Sequence, residues 1–441
     1  MQLNHMKTLF PKQQESVDRL LGALQQHGCA LDSSMTGVGK TIIASRVALN
    51  SGRPVLVLCP KIVIPHWERE LAEVGAKALA VLNYEKLRRG STPWLNKIGK
   101  KLYRWCLPEG TLLVFDEVHY AKGPHTQNTQ MLIAAKQQGF SVLMLSATAC
   151  KDPTEMRGIG YVLGLHALNK PTEGLQSWFG WMLKLGCRKD PWNNWKAGPR
   201  ERLAEVRDGI YPHKGVQLTP NDLPRAFAEN HVMTEPLAFS ALKDIASFYE
   251  QHGITPEIVD RFLEGVVNAP NVLVEMLRAR QLAEAAKVPD ILDMVRDARD
   301  EGYSVVVFVN FTETLNTLCA MMGPDTARVC GGQNGIVREQ NVQRFQRNEC
   351  GVIICNTAAG GVGVSLHDEH GGHPRMSLIS PTFNEKEYVQ VLGRIHRAGA
   401  QSPALQRVLV ASKTIEEKII AKLEEKRKDM AALHEQPKTE S

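Results

Sequence analysis

Two short stretches hold the residue types that could do chemistry together: Ser34-Met35-Thr36-Gly37-Val38-Gly39-Lys40-Thr41 and, further along, Asp116-Glu117-Val118-His119. The first follows the apolar run Cys29 to Leu31 and opens the helix-compatible run Thr41 to Ala48. That is the strand, loop and helix order a phosphate-binding loop requires. Gly37 and Gly39, alternating with Thr36 and Val38, let backbone N–H groups close on phosphate. Lys40 supplies a point charge for the terminal phosphates, and the Thr41 hydroxyl a ligand for magnesium. The second stretch ends the run Leu112 to Phe115. Asp116 there would hold the same magnesium, and Glu117 is placed to orient or deprotonate the attacking water. The chemistry is ATP hydrolysis. A strict phosphate-loop pattern has glycine where Ser34 stands.

A third set completes the charge balance. Gln390-Val391-Leu392-Gly393-Arg394-Ile395-His396-Arg397 spaces two arginines three apart, so on one helical turn Arg394 and Arg397 would point the same way. Their expected target is the γ-phosphate, where guanidinium groups stabilise charge developing in phosphoryl transfer. The plain alternative for any arginine pair is a surface salt bridge; the flanking glycines and a separate lobe favour phosphate.

Such groups need a scaffold. Short apolar runs at Cys29 to Leu31, Val55 to Cys59, Ala78 to Leu82, Leu112 to Phe115 and Val142 to Leu145 alternate with helix-compatible segments. This pattern predicts a parallel sheet flanked by helices, with ligand loops at the carboxyl ends of its strands. A second series, Val305 to Val309, Ala327 to Cys330, Val352 to Cys355, Met376 to Ile379 and Val408 to Ala411, predicts a second α/β lobe. The expected organisation is lobe 1 over 1–165, a helical accessory region over 166–285, and lobe 2 over 286–441. Lobe 2 would close with a terminal helix over Thr414 to Met430.

Composition bounds the remaining classes. The chain has 441 residues, 43% hydrophobic and 23% charged, with 53 basic against 47 acidic residues for a net charge of +6, a mild excess that suits a polyanionic partner. No run of eighteen apolar residues exists and the amino terminus has no signal core, so the expectation is a cytoplasmic protein without membrane contact. The nine cysteines form no CxxC pair, and no zinc site is expected.

Taken in order, these motifs resemble those of the superfamily 2 helicases and translocases over most of residues 9–428. Leu9-Phe10-Pro11-Lys12-Gln13 is similar to the adenine-reading Q motif, with Gln13 as its amide. Ser146-Ala147-Thr148 is similar to motif III, Asn356-Thr357-Ala358-Ala359-Gly360-Gly361-Val362-Gly363 to motif V, and the arginine pair to motif VI. Within the superfamily the chain most resembles the Swi/Snf-type duplex DNA translocases. Three stretches carry that likeness: Cys59 to Glu68, Ala359 to Leu366, and Thr414-Ile415-Glu416-Glu417-Lys418-Ile419. It departs from them at Val118, where alanine is commoner, at Ser146-Ala147-Thr148, which is closer to DEAD and DEAH helicases, and at Pro381-Thr382-Phe383-Asn384, which replaces a paired-tryptophan strand end.

The resemblance implies an α/β fold of two RecA-like parallel-sheet lobes with an ATP cleft between them. ATP and magnesium would be the cofactors. The partner would be DNA, duplex or branched, gripped through phosphates and therefore with strong salt dependence. Lys61, Thr148 and Thr357 are positional candidates for nucleic-acid contact, and Ser146 and Gly361 for coupling. The compact form resembles helicase-like proteins of phages and large DNA viruses, which would place it in a host cytoplasm, acting as a monomer since one chain carries both halves of the ATP site. An RNA helicase and a non-catalytic nucleic-acid clamp are the alternative readings.

Strand separation would need a wedge, which these motifs do not encode. Trp178, Trp181, Trp192 and Trp195, four of the chain's seven tryptophans, fall close together with Phe179 among Lys184, Arg188, Lys189 and Lys196. Aromatic rings among cations could stack on unpaired bases or, more plainly, pack the accessory helices onto lobe 1.

Overall fold

The computed structural model describes residues 8–423 apart from 90–91, 100–101, 148, 151, 169–173, 192, 238–241, 264–269, 361–363, 383, 413 and 422. The chain divides between Leu223 and Pro224 into two compact units.

The first unit is built on a six-stranded parallel sheet of β1 (Cys29–Asp32), β2 (Val55–Cys59), β3 (Ala78–Asn83), β4 (Leu112–Asp116), β5 (Ser141–Leu145) and β6 (Gly215–Val216), in the order β6-β1-β5-β4-β2-β3. β1, β2 and all of β4 but its last residue are buried along their length, as strands covered by helices on both faces must be. This is why they read as unbroken apolar runs rather than as alternation. Leu31, Leu56, Leu58, Phe115 and Met144 lie in one continuous core. Three helices frame the ligand end: α1 (Pro11–His27), α2 (Lys40–Ser51) and α3 (Ile64–Val74). α2 begins where the glycine loop ends, and α3 follows β2 through a short turn at Lys61–Val63.

The second unit repeats the architecture. Its six parallel strands are β7 (Asn230–Leu237), β8 (Ser304–Val309), β9 (Ala327–Val329), β10 (Val352–Asn356), β11 (Arg375–Ile379) and β12 (Ala404–Ala411), ordered β7-β12-β11-β8-β10-β9. α4 (Pro270–Ala286) precedes the sheet's central strand β8, and α5 (Glu385–Leu392) follows β11. Residues 415–421 are helical, and Ile415, Ile419 and Leu423 are buried in the core of this unit. The remainder of the expected terminal helix, 424–430, lies outside the described residues.

The middle of the chain differs from the expected helical accessory region over 166–285. β6 adds an edge to the first sheet and β7 an edge to the second, so 166–223 belong to the first unit and 224–285 to the second. Neither strand announces itself. β6 is two residues long, and most of β7 is solvent-exposed, so edge pairing rather than an apolar run defines it.

Candidate functional site

The glycine loop connects β1 to α2. Gly37 and Gly39 have φ of 85° and 94°, in the left-handed region that only glycine enters without strain. Gly39 is needed twice, because a Cβ there would stand 2.6 Å from the Gln13 Nε2 atom. Gln13 explains the crowding. It is buried at the start of α1, its Oε1 accepts from Phe10 N at 3.0 Å, and its Nε2 donates to the Val38 carbonyl at 2.8 Å. The amide expected to read adenine also braces α1 against the glycine loop.

Ser34, the departure from the glycine pattern, is fully buried. Its Oγ accepts from Leu218 N at 2.8 Å while Met35 N donates to the Leu218 carbonyl at 2.8 Å, tying the loop to the chain just beyond β6. Lys40 Nζ donates to the carbonyls of Ser34 at 2.7 Å and Met35 at 3.0 Å. A phosphate arriving at the α2 amino terminus therefore exchanges two neutral acceptors for an anion, in the field of the helix dipole. Beneath the loop, Asp32 is fully buried. Its Oδ1 accepts from Ser34 N at 2.9 Å, its Oδ2 has no hydrogen-bond partner among the described residues, and burial raises its pKa against the opposing pull of Lys40.

Asp116 ends β4. Its Oδ2 accepts from the Trp67 indole Nε1 at 2.8 Å, its Oδ1 from Glu117 N at 2.9 Å, and its carbonyl from the buried Tyr84 hydroxyl at 2.7 Å. Burial first, and then the neighbouring Glu117 charge, push its carboxyl up to about 7. A desolvated carboxylate with a fixed orientation and a raised pKa is a fitting donor for a hard divalent cation, which would share it with the Thr41 hydroxyl. Magnesium held there would supply positive charge to offset that developing in phosphoryl transfer.

Glu117 turns away from the strand with φ 51° and ψ 52°, a left-handed conformation uncommon outside glycine. Its Oε2 accepts from Ser146 Oγ at 3.2 Å and lies 3.1 Å from His119 Nδ1, which is also 3.1 Å from Ser146 Oγ. The His119 ring stacks on Tyr120 at 4.7 Å. Glu117 keeps 18% side-chain exposure, so this triangle holds the carboxylate without sealing it from a reacting water.

In the second unit α5 ends at Leu392, and Gly393 caps it. Arg394 and Arg397 follow in a turn, so the expected shared helical turn is not formed. Arg394 is buried, donating from Nε to the Gln390 carbonyl at 2.9 Å and from Nη1 to the Val364 carbonyl at 3.0 Å. Its role here is to tie the end of motif V to motif VI. Arg397 Nη1 hydrogen-bonds Ser365 Oγ, and burial lowers its pKa to about 10, which still leaves it charged at neutral pH. Thr357 is buried, with its hydroxyl donating to the Val309 carbonyl at 3.1 Å. Lys61 is exposed in the turn after β2. Thr148 and Gly361 lie outside the described residues.

The structure thus links Gln13 to the phosphate loop, and Asp116 to Glu117 and Ser146, all at the carboxyl ends of the first sheet's strands. Sequence reasoning missed Trp67 and Tyr84 as the groups that orient Asp116. The available signal was Trp67 inside the Swi/Snf-like stretch Cys59 to Glu68. It also missed the buried braces of the second unit. There Glu284 accepts from Asn310 N at 2.8 Å and Phe311 N at 3.0 Å, and Arg280 Nη2 donates to the Pro381 carbonyl at 3.0 Å.

Comparison with known proteins finds relatives along most of the chain. Residues 286–399 match the helicase conserved C-terminal domain. Over 97% of its length the chain is 31% identical to a putative ATP-dependent RNA helicase of Acanthamoeba polyphaga mimivirus, spanning 84% of that protein. It is 24% identical to a chromodomain-helicase-DNA-binding protein 1-like of Danio rerio and 23% identical to a putative ATP-dependent helicase/translocase of Bacillus subtilis strain 168. The alignments cover 90% and 95% of this chain but only 41% and 48% of those relatives, so the chain spans less than half their length. Among solved structures, a Sulfolobus solfataricus SWI2/SNF2 ATPase core in complex with dsDNA aligns over 98% of both chains at 15% identity and a TM-score of 0.38.

Proposed function

This chain belongs to the Swi/Snf-like superfamily 2 helicases, an ATP-hydrolysing family of nucleic-acid motors, and we propose that it is a DNA translocase that moves along duplex and remodels forks or branched junctions. The observation that carries the reading is the Ser146 tether on Glu117. The water-positioning carboxylate is bonded to motif III, the element that in this family links nucleotide state to the rest of the motor, so hydrolysis is wired to conformation.

Lys40 and the loop N–H groups bind the phosphates of ATP, Thr41 and Asp116 hold magnesium, and Glu117 orients the water. Arg397 is the second unit's cation for the γ-phosphate, and Arg394 is the positioning residue that shapes its turn. DNA is favoured over RNA because the relative from a fish is named for DNA binding. An RNA helicase is the second reading, favoured by the name of the viral relative.

The test is displacement of a third strand from a DNA triplex by the advancing protein. ATP-dependent displacement that Glu117→Gln abolishes supports the translocase. Absence of displacement together with ATP-dependent unwinding of an RNA duplex would favour the second reading.

A further inference from the structure

Next to the first sheet's ligand end the tryptophan-rich stretch builds an aromatic ladder. Trp178 is buried, and its Nε1 donates to the carbonyl of Pro153, a few residues beyond Ser146. Phe179 stacks on it at 5.1 Å, and Trp195 stacks on Phe179 at 5.9 Å with only 17° between ring planes. The outer end of the ladder is capped by a cation, Lys189 Nζ, 5.6 Å from the Trp195 centroid. Trp181 packs inward, against His166 at 5.0 Å, and Trp192 lies outside the described residues.

The ladder rests on a short hairpin. Lys189 and Trp195 face each other across a two-stranded hairpin, Arg188–Lys189 with Trp195–Lys196. Its turn is closed by Asn194 N donating to Asp190 Oδ1 at 2.8 Å and by Asn193 at φ 67°. A Cβ on Gly198 would stand 2.0 Å from the Leu185 carbonyl oxygen, so the hairpin is seated directly on the end of the helix Trp178–Lys184. Lys184, Arg188, Lys189 and Lys196 are all exposed; Lys189 Nζ donates to Asn193 Oδ1 at 2.7 Å, and the turn's carboxylate, Asp190, accepts from Asn194 N and lies 3.8 Å from Lys196 Nζ, so four cations face one carboxylate.

We infer that this hairpin reads unpaired DNA: a base leaving the duplex displaces Lys189 and stacks on the outer face of Trp195, and Lys189, Arg188 and Lys196 take the adjoining phosphates. The charge argues for a polyanion, and a ladder ending in an exchangeable cation argues for a planar ligand. The inference rests on the proposed nucleic-acid motor and adds a contact specific to junctions.

The experiment places 2-aminopurine in the unpaired arm of a forked DNA and follows its fluorescence and the protein's affinity, against a blunt duplex of the same sequence. Wild type should quench the probe. Trp195→Leu should lose quenching and about 10-fold in affinity for the fork while keeping duplex affinity, and Trp195→Tyr should restore both. Lys189→Gln with Lys196→Gln should reduce the salt slope of fork binding by ~1.4. Lack of quenching by wild type, or equal losses on fork and duplex, would overturn the junction contact and leave the motor standing. Failure of wild type to bind either DNA would remove the motor reading beneath it.

Discussion

Ser146 Oγ donates to Glu117 Oε2 across 3.2 Å, joining the carboxyl ends of two neighbouring strands, β5 and β4. The hydroxyl is wholly buried and the carboxylate is not, so the bond fixes where Glu117 points without closing access to it. Ser146→Ala should leave ATP binding near wild type and lower the turnover number. Loss of one hydrogen bond to a charged group is worth about 1.5–3 kcal/mol, or on the order of 10-fold to 100-fold in rate. Steady-state hydrolysis beside fluorescent-nucleotide binding checks the split.

Trp67 positions Asp116 through a single indole bond of 2.8 Å. Trp67→Phe keeps an aromatic ring and removes the donor. The expected outcome is a higher magnesium requirement for hydrolysis, by about 10-fold, with nucleotide affinity in the absence of metal unchanged. A magnesium titration of the ATPase reads it directly.

How much of this was legible in the chain follows from what sequence encodes locally. Buried parallel strands such as Val55–Cys59 and Ser304–Val309 read as apolar runs, so both sheets could be found, and the loop and acidic-box residues keep a spacing that proposes an ATP site at their carboxyl ends. Long-range partners could not. The Ser34 bond to Leu218 closes between residues 184 positions apart. β7 is exposed along most of its length and carries no apolar run. The arginine pair was misplaced onto one helical turn because spacing alone says nothing of Gly393 ending α5.

Lys287 and Glu416 form an ion pair of 2.7 Å with no exposed surface at Lys287, and Glu416 Oε2 also accepts from Ala411 N at 2.8 Å. Lys287→Met leaves the glutamate charge buried and unpaired, which should cost the second unit about 3–5 kcal/mol. Adding Glu416→Gln should recover much of that, since the amide can still accept from Ala411 N. Urea unfolding midpoints of the two variants decide it.

His367 gives the second unit a pH dependence. Burial, then Arg397 and Arg375, lower its pKa from 6.5 to about 4. A depressed folded-state value means the unfolded chain takes up the proton first. The stabilisation is therefore complete above pH 6.5 and is lost as pH falls through 4. The melting temperature should decline over that window in wild type and decline less in His367→Gln.

The most direct test of the account is steady-state ATP hydrolysis with no polymer, with single-stranded DNA, blunt duplex, forked DNA and RNA, using Glu117→Gln to exclude contaminating activity. A DNA translocase should be stimulated by duplex or forked DNA above single strands and RNA, and Glu117→Gln should show no such stimulation. Stimulation by RNA alone, or turnover that survives Glu117→Gln, would contradict it.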